Sequence, residues 1–93
     1  LILSIAQAKV DEAAKDNLFG AWSNLVVGDR PDGLVNCYLL EADGMVQVAA
    51  VWATIDHHDA ALTGDPTHPG ALVFSACGVD PTHTILDVVG HLG

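Results

Sequence analysis

Leu34-Val35-Asn36-Cys37-Tyr38-Leu39-Leu40, then Glu41-Ala42-Asp43-Gly44, then Met45-Val46-Gln47-Val48-Ala49-Ala50-Val51-Trp52 is the stretch that decides the fold. Two apolar, strand-forming runs flank Asp43-Gly44, a pair that tolerates the positive φ of a type I′ turn, so the stretch predicts a β-hairpin. Upstream, Leu1 to Val10 reads as a strand. Asp11 is placed to cap a following helix, with Glu12 in its first turn, where negative charge suits the helix dipole. Ala14, Leu18, Ala21, Trp22, Leu25 and Val26 recur at three- and four-residue steps on one face of that helix. Asp11 and Lys15 form an i,i+4 charge pair, Gly28 stops the helix, and Arg30-Pro31-Asp32-Gly33 is a turn. Downstream, Thr54 can cap a short helix from Ile55 to about Leu62, which Gly64-Asp65-Pro66 breaks. Pro69 opens a second short helix through about Cys77, ended by Gly78. After the Asp80-Pro81 turn, Thr82 to Leu92 reads as the last strand. The order β-α-β-β-α-β predicts an α+β domain, an antiparallel sheet with helices on one face, spanning residues 1–93 as one unit.

A chain of 93 residues makes one domain with little core to spare. Its hydrophobic fraction of 51% and mean hydropathy of +0.38 are high for that length. A helix-backed sheet this small leaves one apolar face uncovered, which predicts a homodimer through that face. Twelve acidic residues stand against Lys9, Lys15 and Arg30, giving a net charge of −9. That balance excludes nucleic acid, whose phosphates need several cations, and an anionic membrane surface. No run approaches 18 apolar residues, so no membrane span is expected. Leu1 to Ala6 lacks a basic flank and reads as a strand, not a signal peptide. Cys37 and Cys77 form no CxxC pair; reduced thiols in a cytoplasmic protein are the expectation.

Three passages carry a family resemblance: Ala8-Lys9-Val10 closing a strand before a helix, Pro31-Asp32-Gly33-Leu34 opening the second strand, and Val51-Trp52-Ala53-Thr54 closing the third and entering a helix. Together with the element order, they make the chain resemble the antibiotic-biosynthesis monooxygenase family of the dimeric α/β-barrel superfamily, over nearly its whole length. The resemblance implies a ferredoxin-like fold, two subunits joined through their open sheet faces, and a cavity between each sheet and its helices. It also implies oxidation of aromatic phenols to quinones by molecular oxygen with no metal or flavin. Other members of the family degrade haem, using a first-strand asparagine, the third-strand tryptophan and a histidine in the next helix. Trp52 matches that tryptophan. The asparagine position falls near Ala6 or Gln7 and the histidine position near Ala61, which counts against haem.

Trp52 is the first candidate site residue: its indole N–H can hold a substrate oxygen and its ring can stack on an aromatic ligand, or it is a core tryptophan. Asn36 lies between apolar neighbours and, by strict alternation, shares a face with Leu34, Tyr38 and Leu40. It could orient a ligand carbonyl, or sit at an edge in solvent. Trp22, on the helical stripe, and Tyr38, the only tyrosine, are further substrate-binding candidates, with core packing as the alternative for each. His57 and His58 are the general-base candidates, since histidine titrates near neutrality; the alternative is a solvated helix start among Asp56 and Asp59. Adjacent on a helix, they point about 100° apart and cannot grip one metal. No histidine spacing matches a metal site, and no phosphate-cradling loop is present, so no cofactor is expected. The sequence thus points to a cofactor-independent monooxygenase acting on a small hydrophobic aromatic substrate and O2. The alternative is a non-catalytic dimeric module that binds a small ligand.

Overall fold

A computed structural model describes all residues 1–93. Its elements are β1 (Ile2–Lys9), α1 (Glu12–Val27), β2 (Leu34–Ala42), β3 (Met45–Trp52), α2 (Ile55–Ala61), α3 (Pro69–Cys77) and β4 (Thr82–Asp87). The strands form one antiparallel sheet in the order β2-β3-β1-β4. This is the α+β, ferredoxin-like arrangement expected from the element order. The hairpin turn is where the sequence puts it: Asp43 and Gly44 hold φ of 53° and 78°, the paired left-handed conformation that few other dipeptides accept.

Alternation divides the sheet into two faces. Ile2, Ser4, Ala6 and Ala8 of β1 lie beside Trp52, Ala50, Val48 and Val46 of β3 and face the helices. Leu18 of α1 and Val73 and Phe74 of α3 close over this layer, making a core with Ala6, Val10, Val46 and Val48. A second cluster joins Ile2, Ala50 and Trp52 to Ala61 of α2. The opposite face carries Leu3, Ile5, Gln7, Met45, Gln47, Ala49 and Val51 with no helix over it. Gln7 and Gln47 share the only side-chain hydrogen bond there, at 2.7 Å.

Three sequence expectations need correction. First, β4 ends at Asp87, not Leu92. The Val88 N–H bonds to Leu1 C=O at 3.1 Å, the last rung β1 supplies, and Val89 and Leu92 are then 95% and 101% exposed. Second, Asp11 occupies the N-cap position but makes no side-chain cap bond. Lys15 turns to Glu12 (2.8 Å) and Glu41 of β2 (3.1 Å) and not to Asp11, and these two carboxylates push its pKa up. Third, a bulge between Leu34 and Asn36 breaks the strict alternation of β2. Leu34 pairs with Trp52 on the helix side, whereas Asn36 pairs with Val51 on the open side, as do Tyr38 with Ala49 and Leu40 with Gln47. Leu34 and Asn36 therefore do not share a face. Other local signals hold: Thr54 Oγ1 accepts from the His57 N–H, Pro69 opens α3, and Gly78 ends it in the left-handed conformation.

Candidate functional site

Two features lie between the sheet and its helices: a closed polar cluster and an open pocket. The cluster is built on Trp52, which is 0% exposed at the end of β3. Its Nε1–H donates to Ser4 Oγ at 3.0 Å. Ser4 is also buried and lies 3.5 Å from His68 Nε2. His68 sits in the residue before Pro69, where the chain is extended, and serves as the N-cap of α3. Its Nδ1 accepts from the Gly70 N–H (3.1 Å) and the Ala71 N–H (3.4 Å). An accepting Nδ1 fixes the tautomer, so the proton is on Nε2 and points to Ser4. That arrangement rules out a Ser–His nucleophile, because the histidine has no free lone pair to draw the serine proton.

His58 completes the cluster from α2. It is 3% exposed, its Nδ1–H donates to Asp59 at 3.0 Å, and its ring stands edge-on to Trp52 and to His68 at centroid distances of 5.7 and 4.9 Å. His83 of β4 approaches His68 at 6.2 Å. Burial, followed by the nearby His58 and His83, lowers the His68 pKa to about 4, so the ring is neutral at ordinary pH. No group of three or more His, Cys, Asp or Glu side chains converges closely enough to hold a metal ion.

The pocket, about 220 Å³, opens between the C-terminal half of α1, the start of β2 and the first residue of α3. Trp22, Leu25 and Val26 form one wall, Leu34 and Cys37 the floor and Pro69 the far side; Asp29, Arg30 and Pro31 line the α1–β2 loop. The bulge in β2 explains why Leu34 lies here. It also accompanies the anchor of Arg30, whose guanidinium donates to Val35 C=O at 2.9 Å. Burial raises the Cys37 pKa to about 11, so its thiol stays protonated. No helix is long and apolar enough to cross a membrane, and both cysteines are free.

The candidates named from sequence separate under this geometry. Trp22 lines the pocket. Trp52 does not: it is enclosed and its N–H is already donated to Ser4. His58 is buried with Trp52, while His57 faces the other way, bonding Thr54 Oγ1 through Nδ1 at 2.8 Å and lining a second depression of about 330 Å³ with Pro31, Asp32 and Thr67. Asn36 and Tyr38 lie on the open sheet face, Tyr38 54% exposed. Sequence reasoning missed Ser4, His68 and Arg30. The residue before a first-turn proline is the N-cap, which could have singled out His68. Ser4, the one polar residue on the helix-facing side of β1, carried a signal as well.

No protein-family model matches the chain, and no curated protein sequence matches it. Its fold does match solved structures. A candidate antibiotic biosynthesis monooxygenase from Caulobacter crescentus superposes with a TM-score of 0.73 at 20% identity, covering 96% of this chain and 90% of that one. SnoaB, a cofactor-independent oxygenase from Streptomyces nogalater solved as an asparagine-to-alanine mutant, gives 0.70 at 21% identity over 98% and 95% of the two chains. A candidate antibiotic biosynthesis monooxygenase from Nitrosomonas europaea gives 0.73 at 11% identity over 97% and 100%. The fold is therefore the one these proteins share.

Proposed function

We propose that this chain is a cofactor-independent monooxygenase of the antibiotic-biosynthesis type, working as a homodimer on a small hydrophobic hydroxyarene. The observation that carries the reading is an apolar-walled pocket between sheet and helices, in a fold whose solved relatives include a cofactor-independent oxygenase. The overall reaction balances without a redox group on the protein: hydroxyarene and O2 give quinone and water, with the arene as reductant. The protein then supplies desolvation and orientation. Stacking falls to Trp22 on the pocket wall. Trp52 supports the site from behind, holding β1, α2 and α3 together through Ser4, His58 and His68. Proton removal does not fall to Asn36, which faces the other side of the sheet. On the pocket wall the Cys37 thiol is protonated and Arg30 is a fixed cation, leaving Asp29 as the group able to accept the phenolic proton.

The open sheet face favours the dimer. Leu3, Ile5, Ala49 and Val51 lie at its centre, with Tyr38, Leu40 and Leu86 around 50% exposed at its margins, an apolar surface of the kind that marks a subunit contact. Oxygen uptake by purified protein with naphthol- and anthrone-like phenols, without added metal or flavin, tests the activity, and Trp22→Ala should slow it. Phenols that bind without oxygen uptake, with and without haem and reductant, would leave only the ligand-binding module. Sedimentation tests the dimer, which Ile5→Glu should dissociate; a wild-type monomer would refute it.

A further inference from the structure

Lys9, Lys15 and Arg30 are the only lysines and arginines, against twelve acids. Lys15 is held between Glu12 and Glu41, and Lys9 lies at the far end of β1. Arg30 differs from both. Its one bond is to the backbone carbonyl of Val35, and no carboxylate neutralises it. That bond holds the guanidinium on the pocket wall and leaves it free donors, since the group carries five N–H bonds in a planar fork. The opposite walls are apolar and include an indole. Asp29, the other charged residue of the lining, is exposed and forms no ion pair. The pocket's volume of about 220 Å³ falls below the roughly 300–1,000 Å³ usual for drug-sized ligands.

We infer that the pocket takes a compact aromatic acid of one or two rings, its ring against Trp22 and Leu34 and its carboxylate on Arg30. This deepens the reading above, in that the oxidised hydroxyarene would carry a carboxylate that fixes which edge faces the loop. A carboxylate fits the fork in a bidentate manner that a neutral amide cannot copy. Asp29 opposes the same anion through space, so the site's preference is the difference of two opposed charges on one loop.

The probes are 2-naphthoate and its neutral counterpart, 2-naphthamide, read by quenching of Trp22 emission, with Trp22→Phe identifying the signal. Wild-type protein should bind the acid at least about tenfold tighter than the amide. Arg30→Gln should abolish that preference by weakening the acid at least about tenfold more than the amide, Arg30→Lys should keep part of it, and Asp29→Asn should strengthen it. Equal affinity for acid and amide, no binding of either, or an Arg30→Gln loss shared equally by both would overturn the inference. Neither probe has a hydroxyl to oxidise, so the result is independent of turnover. Oxygen uptake with a plain naphthol tests the monooxygenase reading separately.

Discussion

Acidification should weaken this protein through His68, by an amount that can be worked out. In the unfolded chain a histidine titrates near 6.5, whereas in the fold His68 is driven down to about 4 by burial and then by His58 and His83. Between those values the unfolded state binds the extra proton and the native state does not, so stability falls as pH falls. Each pH unit of that window costs about 1.4 kcal/mol. The loss is then roughly 2 kcal/mol between pH 6.5 and 5, approaching about 3 kcal/mol at pH 4, and it is absent above pH 6.5. Protonation at Nδ1 also removes the acceptor that the Gly70 and Ala71 amides use, so α3 should loosen from its first turn. His68→Asn separates the effects: its carbonyl oxygen can still accept from those amides, as asparagine does at N-caps, but it does not titrate. The assay is urea denaturation at fixed protein concentration from pH 7.5 to 4.5, with the His68 ring proton followed by NMR. His68→Asn should start less stable, for want of the ring's packing on Trp52, yet lose about 2 kcal/mol less on acidification to pH 5. Parallel decline of the two proteins, or a His68 titration near 6.5, would refute the reasoning.

Three further outcomes are expected. Ser4→Ala should destabilise by about 1–3 kcal/mol, far more than one exposed hydroxyl, because the Trp52 N–H loses its acceptor in a dry site; thermal unfolding and Trp52 emission report it. Gly33→Ala should lower stability by roughly 1–3 kcal/mol, since Gly33 holds φ at 81° and a Cβ there would run into the His57 ring; a variant as stable as wild type would show that the loop can shift. Cys37, with its pKa raised from 9.0 to about 11, carries ~100-fold less thiolate near neutrality. Higher intrinsic nucleophilicity recovers part of that, so iodoacetamide should modify it about tenfold more slowly than a free cysteine, as mass spectrometry can count.

How much of this was legible in the residues depends on whether the signal was local. Asp43-Gly44, Thr54, Pro69 and Gly78 act within a few positions, and each is where its chemistry puts it. Leu34 was put on the face of Asn36, Tyr38 and Leu40 because a bulge is set by pairing with β3, and nothing between Leu34 and Asn36 announces one. The end of β4 depended likewise on where β1 stops offering partners. The polar cluster was the least legible feature: Ser4, Trp52, His58 and His68 come from four elements, and only folding brings them within a few ångströms. Arg30 was read as part of a turn, since its lack of an ion pair and its bond to the Val35 carbonyl are facts of three dimensions.

The bulge has one more consequence, for how copies of this chain can meet. β2 is an outer strand, and outer strands invite foreign strands to add to their free hydrogen-bonding rim. Here that rim is twisted by an extra residue, and the Val35 carbonyl is already claimed by the Arg30 side chain. Lateral, fibre-like growth is thereby discouraged at this border. Removing Val35 would straighten the border and release the arginine together, so a one-residue deletion should favour open-ended aggregation.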